Sequence, residues 1–185
     1  TVSPPVYFSP MHNEKELLLF YREIGSIGLP VIVYNNPKYT GITFTLDFIY
    51  RLGNENNIIG VKLVKTDMEI LRKLINEIKT ENFKIGFADR KPLLKAFETG
   101  VDVLINTTAS IIPKTFSDFY NSYSQGKIEE AKLLESEIES FEEIFKINPN
   151  FISIATTASS LVTDSNNNMS KPFLPLPYEE KNKVK

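Results

Sequence analysis

Apolar positions along the chain follow two rhythms. Short apolar runs at residues 29–34, 58–63, 83–87 and 101–105 are separated by stretches in which apolar residues recur every three or four positions. The runs read as strands and the stretches as amphipathic helices. A further strand is expected at residues 2–8, entering a loop punctuated by Pro4, Pro5 and Pro10. Asn13 is placed to cap a helix ending near residue 27, with Leu17, Phe20, Tyr21 and Ile24 at helical spacing. Asn35, Asn36 and Pro37 end the second strand, and a short helix is expected at 46–52. Thr66 or Asp67 would cap a helix carrying Ile70, Leu71, Leu74, Ile75 and Ile78, and another helix is expected at 91–99. From residue 114 onward the pattern is helical alone, at 114–124, 128–146 and 151–161. The polar Ser165-Asn166-Asn167-Asn168 stretch and the proline-punctuated residues 171–185 read as a loop and a surface-wrapping tail.

Five strand–helix units of this kind predict an α/β protein with a parallel sheet covered on both faces. Two architectures fit: a five-stranded doubly wound sheet, or part of an eight-stranded barrel. A complete barrel takes about 250 residues, so 185 residues fall short by about three units. The chain opens on Thr1 rather than Met, which favours a piece of a longer polypeptide.

Composition removes several kinds of chemistry. There is no cysteine, which excludes disulfides, thiol catalysis and cysteine-bound zinc. The single histidine, His12, argues against a histidine metal site or a serine triad, and it reads as a solvated or capping side chain. A net charge of −2, spread along the chain, gives no reason to expect nucleic acid or an anionic membrane as partner. No apolar run approaches the roughly 18 residues that span a bilayer, so a cytoplasmic enzyme is the expectation. Glu129 to Glu143 reads as the solvated face of an amphipathic helix, and Asp164-Ser165-Asn166 has too few carboxylates for a calcium loop.

Lys62 stands out because it interrupts an apolar strand. With period two, Ile58, Gly60 and Lys62 share one face, and Ile59, Val61 and Leu63 the other. A buried ammonium is poorly solvated, so the neutral amine becomes available as a nucleophile. Gly60, one step back on the same face, would leave room for a substrate. Strand context alone keeps a second reading open, in which the long side chain simply reaches solvent. Tyr34 closes the preceding strand and would lie near the same carboxyl edge, where α/β enzymes place their sites. Its phenol could relay protons to a carbinolamine or aldol hydroxyl, or it could be an aromatic at a sheet rim.

The run Leu29-Pro30-Val31-Ile32-Val33-Tyr34-Asn35-Asn36-Pro37 with Thr40-Gly41, followed a helix later by Ile59-Gly60-Val61-Lys62, resembles the dihydrodipicolinate synthase and N-acetylneuraminate lyase superfamily. That group includes the archaeal 2-keto-3-deoxygluconate aldolases. The likeness continues through Pro5-Val6-Tyr7 and Pro10, Asp89, Gly100 to Pro113, Gly126-Lys127 with Ala131, and the Pro172-Phe173-Leu174-Pro175-Leu176 tail. It implies a (β/α)8 TIM barrel of which this chain holds strands four to eight. Residues 1–112 would then be the C-terminal barrel half, 113–164 the terminal barrel helix with appended helices, and 165–185 a surface tail. It also implies a class I aldolase or lyase needing no cofactor and no metal. Lys62 would form an imine with pyruvate, and Tyr34 would relay protons. Thr40 and Gly41 would shape the loop over the substrate, with Tyr39, Asp89 and Thr107 near it. Tyr7 would match a tyrosine that reaches a neighbouring subunit's site, in a homo-oligomer (dimer or tetramer).

The sequence departs from the family in several places. Tyr39 stands where the synthases carry an arginine for the aldehyde substrate's carboxylate, and a phenol cannot replace a bidentate guanidinium. The expected partner of pyruvate is therefore another aldehyde, such as that of a 2-keto-3-deoxy sugar acid, with dihydrodipicolinate synthesis the less favoured reading. Gly86-Phe87-Ala88 replaces a small-residue motif before Asp89, and Ala109 replaces an asparagine, with Asn106, Thr107 and Thr108 as substitute polar groups. The glycine- and threonine-rich loop that holds the pyruvate carboxylate belongs to an early strand outside this sequence. A catalytically incomplete barrel half is thus the rival reading. A flavodoxin-like domain is a third, weakened by the lack of a glycine-rich phosphate loop after the first strand.

Overall fold

The computed structural model describes residues 1–7, 11–64, 66–163 and 165–184. Four strands, β1 (Val31–Asn35), β2 (Ile58–Leu63), β3 (Lys84–Phe87) and β4 (Val103–Leu104), form one parallel sheet in the order β1-β2-β3-β4. Helix α1 (Glu14–Ser26) precedes β1, while α2 (Pro37–Thr40) and α3 (Leu46–Leu52) lead to β2. Helices α4 (Met68–Glu77) and α5 (Leu93–Thr99) make the next two crossovers. Strand order follows chain order without reversal, so the sheet has no topological switch point. A doubly wound sheet requires one, and that alternative is set aside.

The first expected strand is a single bridge, not a full strand. Val2 pairs with Val33, its N–H donating to Ile32 O at 2.9 Å and its carbonyl accepting from Tyr34 N–H at 2.7 Å. Pro4 and Pro5 follow at once and have no N–H to extend a ladder. Phe8 and Pro10, which belong to that expected strand and loop, lie outside the described residues, as do Asp164 and the final residue of the tail. The run at 101–105 keeps only Val103–Leu104 as strand, although Asp102 N–H and Ile105 N–H still donate to Ile85 O and Phe87 O, both at 2.9 Å.

Local signals account for the helix ends. Asn13 Oδ1 accepts from Glu16 N–H and Glu16 Oε2 from Asn13 N–H, each at 3.0 Å, a reciprocal cap that starts α1 where expected. Asp67, rather than Thr66, caps α4, accepting from Glu69 N–H at 2.7 Å. The apolar faces of these helices bury Leu17 and Tyr21 of α1, Phe48, Ile49 and Leu52 of α3, Leu71 and Leu74 of α4, and Leu93 and Phe97 of α5. The sheet contributes Val33, Val61, Leu63, Ile85 and Phe87 to the core. Glu14 accepts from Thr45 Oγ1 at 2.6 Å and pairs with Arg51, which ties α1 to α3.

Two compact units make up the chain, residues 1–105 and residues 106–185. The second is helical. A 3-10 turn at Thr108–Ser110 leads into α6 (Pro113–Ser124) and α7 (Ile128–Phe141), which pack against each other. The helix expected to run to residue 146 stops being α-helical at Phe141 and continues as a 3-10 turn, Glu142–Lys146. Helix α8 (Phe151–Val162) is capped by Asn150. The tail is not all loop, because Tyr178–Val184 forms α9. Its first turn carries Glu179 and Glu180 and its last Lys181 and Lys183, a charge order matched to the helix dipole. Within this unit the tail is fastened by Leu176, which is buried, and by Ser153 Oγ donating to Leu174 O at 2.7 Å. Among the described residues, no helix is long and apolar enough to cross a membrane.

Candidate active site

The chemistry-bearing residues of the first unit gather at the carboxyl end of β1 and β2. Parallel pairing sets Tyr34 opposite Lys62, and Lys62 opposite Gly86 of β3. Register partners in a parallel sheet present their side chains on the same face. Lys62 Nζ accordingly lies 4.0 Å from the centre of the Tyr34 ring. On the β3 flank Gly86 offers no side chain, so the tyrosine is the amine's neighbour in the sheet. Among the described residues, Lys62 makes no hydrogen bond or ion pair, and its Nζ rests over the Tyr34 ring face. The Lys62 side chain is half-buried, and this partial burial holds its amine below the usual range of a lysine, because desolvation penalises the charged form. The π face attracts an ammonium and works in the opposite direction, but burial is the dominant cause.

Gly60 has a different role from the one its spacing suggested. A Cβ there would lie 2.4 Å from Lys84 O, and 3.1 and 3.2 Å from the backbone C and N of the same residue. That space is filled by β3, so the glycine permits the close approach of two strands and does not open a substrate pocket. Nor is β2 covered along its whole length, since Ile59 is 37% exposed while Val61 and Leu63 are buried.

The turn after β1 supplies the neighbouring polar groups. Pro37 starts α2, where its missing N–H costs nothing. Gly41 ends α2 in the left-handed region at φ 70°, and its N–H donates to Pro37 O at 2.9 Å. Three donors converge on Asn36 O: Tyr39 N–H and Thr40 N–H at 3.1 Å, and the buried Thr40 hydroxyl at 3.0 Å. The Asn36 side chain is buried as well, and its Nδ2 donates to Tyr34 Oη at 2.8 Å. Thr40 therefore holds Asn36, and Asn36 holds the phenol.

The other expected site residues lie on other elements. Tyr39 is 55% exposed on α2, with Lys38 Nζ 5.2 Å from its ring centre. Asp89, just past β3, accepts from Thr66 N–H at 3.1 Å. Tyr7 is 79% exposed, and its carbonyl lies 3.2 Å from His12 Nε2. Thr107 belongs to the second unit, where its carbonyl accepts from Ser110 Oγ at 2.7 Å. A groove of about 360 Å³ between α6 and α7, lined by Asp118, Ser122, Leu133 and Glu137 among others, holds none of these residues. Among the described residues, no group of three or more His, Asp or Glu is placed to hold a metal ion.

Asn36 joins the site although its sequence position marks it only as a strand end within the Leu29–Pro37 run. The available signal was its spacing: two residues beyond Tyr34 it can return to the same face.

A parallel sheet with unreversed strand order, carrying a half-buried lysine beside a tyrosine at its carboxyl edge, defines an α/β protein of the type that places chemistry at strand ends. The dihydrodipicolinate synthetase family matches residues 2–185, and the chain belongs to that family. A 4-hydroxy-tetrahydrodipicolinate synthase from Methanospirillum hungatei is 30% identical over 131 residues, covering 71% of this chain and 44% of the relative. The synthase of the same name from Archaeoglobus fulgidus is 26% identical over 182 residues, covering 98% of this chain and 62% of the relative. Among solved structures, YagE from E. coli K12, a dihydrodipicolinic acid synthase family protein in complex with pyruvate, superposes with a TM-score of 0.89. It is 21% identical, and the match covers 99% of this chain and 62% of that one. The chain thus spans about half the length of the curated relatives it matches.

Proposed function

We propose that this chain carries the nucleophile and proton relay of a class I, Schiff-base-forming aldolase or lyase acting on pyruvate and an aldehyde. The observation that carries the reading is Lys62 Nζ, on a half-buried side chain and 4.0 Å from the Tyr34 ring. The neutral amine adds to the keto carbon of pyruvate to give a carbinolamine. Tyr34 donates its proton to the carbinolamine hydroxyl, which leaves as water, and the iminium forms on Lys62. The phenolate then takes a proton from the pyruvate methyl group, which regenerates the phenol and leaves an enamine. The enamine carbon attacks the aldehyde in the synthetic direction. Cleavage of a 2-keto-3-deoxy sugar acid is the same sequence in reverse.

In this reading the sheet is an arc of a (β/α)8 barrel, strands four to eight. Its support is the unreversed order of β1 to β4, with the Val2 bridge on the outer side of β1. Tyr39 supports an acceptor other than the one used for lysine biosynthesis, since its exposed phenol cannot clamp a carboxylate in bidentate fashion. The names of the relatives point instead to 4-hydroxy-tetrahydrodipicolinate synthesis, and the two acceptors are separable by assay. Roughly half-length coverage favours a second reading, a barrel half that works only when further strands complete it.

Exchange of the pyruvate methyl protons in D2O, followed by proton NMR, tests the proposal, because an enamine on Lys62 exchanges them faster than uncatalysed enolisation does. The protein should catalyse exchange, and Lys62→Met should abolish it. Exchange at the uncatalysed rate with the unsubstituted protein would remove the proposal.

A further inference from the structure

We propose that Asn36 is a positioning residue for Tyr34, directing the phenol proton toward the substrate by occupying an acceptor site on the phenol oxygen. The inference rests on the aldolase reading above and adds to it a residue that spacing alone did not identify. A phenol oxygen accepts through its lone pairs and donates one proton. With Asn36 Nδ2 donating at 2.8 Å, that proton is left free for an oxygen on the ligand. Once it is transferred, the phenolate already has a donor in place, so no group has to reorganise during the step. The reverse orientation, with the carboxamide oxygen accepting from the phenol, would withdraw the proton from the substrate.

Two observations separate this from an ordinary structural asparagine. First, the backbone that carries the side chain is fixed: the Asn36 carbonyl accepts from Tyr39 N–H, Thr40 N–H and the Thr40 hydroxyl. Second, Asn36 is a poor structural choice. It is 95% buried, and its Oδ1 has no hydrogen-bond partner among the described residues. A buried, unpaired acceptor destabilises a fold, and an apolar residue of similar size removes that penalty. A residue that costs stability while holding a phenol beside a half-buried amine fits a functional role.

The test measures deuterium exchange into the pyruvate methyl group for five forms of the protein: unsubstituted, Asn36→Val, Asn36→Asp, Tyr34→Phe, and the Asn36→Val/Tyr34→Phe double variant. Melting temperature and borohydride trapping at Lys62 are recorded for each. Asn36→Val should slow exchange at saturating pyruvate by about tenfold, the size of one hydrogen bond to a developing charge. Its KM should change little and its melting temperature should be equal or higher. In the Tyr34→Phe background the same substitution should have no further effect, because the oxygen it serves is gone. Asn36→Asp, which presents only acceptors to the phenol at neutral pH, should slow exchange at least as much as Asn36→Val. A full rate in Asn36→Val, or an equal loss in both backgrounds, overturns the inference while leaving the aldolase reading intact. No exchange and no Lys62 adduct in the unsubstituted protein removes both.

Discussion

Gly60→Ala probes the close approach of β2 and β3 on which the position of Lys62 depends. The added methyl would sit 2.4 Å from Lys84 O, with the C and N of the same residue at 3.1 and 3.2 Å. All three atoms are backbone, so no side chain can swing away, and the strands must separate by on the order of 1 Å to restore normal contact. Overpacking of this kind costs about 1–3 kcal/mol. For a chain of this size each kcal/mol lowers Tm by about 2–4 °C, which predicts a fall of about 2–12 °C. The strain also reaches the site, because Gly60 and Lys62 pair with Lys84 and Gly86 in one ladder. A misplacement of about 1 Å can slow a positioned reaction by about 100-fold. Thermal unfolding by circular dichroism and methyl deuterium exchange would be measured side by side, with Gly53→Ala as control. Gly53 has ordinary helical φ, and a Cβ there would meet the Phe83 ring at 3.4 Å, an ordinary contact. If Gly60→Ala melts and reacts like the unsubstituted protein, the close approach of the strands does not set the site.

Four further outcomes are expected. The rate of borohydride-trapped adduct formation should rise with pH and level off below about 10.4, the value of a solvated lysine, because burial lowers the Lys62 amine. The same burial means that the folded state binds fewer protons than the unfolded one, so the Lys62 contribution to stability should increase with pH through that window. Tyr34→Phe should slow methyl exchange by about 100-fold or more while Lys62 remains trappable at long times, the usual scale for losing an acid–base group. Asn13→Ala should lower Tm, at a cost of about 1 kcal/mol, without changing the exchange rate, since the α1 cap touches neither Lys62 nor Tyr34.

Much of the fold is visible in the sequence because the strands are short apolar runs and several helices have a physical start signal. Asn13, Thr45 and Asp67 all cap the helices whose apolar spacing follows them. What the pattern misses is set by backbone chemistry or by tertiary contact. Pro4 and Pro5 shorten the first strand to a bridge even though their neighbours are apolar. Pro37 ends β1 as expected, but it also begins α2, a turn too short to show periodicity. Helix α9 has few apolar residues, so only the order of its charges marks it.

At the candidate site, the Tyr34–Lys62 pair is legible because strand ends and parallel register bring the two side chains to one face. Asn36 is not legible in the same way, since its importance lies in a hydrogen bond to a residue two positions back and in the turn that fixes it. Gly60 illustrates a different limit: periodicity gives its face, but only the distance to Lys84 O reveals what occupies that face.

Peptide mapping by mass spectrometry after incubation with pyruvate and borohydride tests the central claim most directly. One reduced pyruvyl group is expected on the peptide containing Lys62, absent without pyruvate and absent in Lys62→Met. A protein that stays unmodified, or one that carries the adduct on another lysine while Lys62 is untouched, would contradict it.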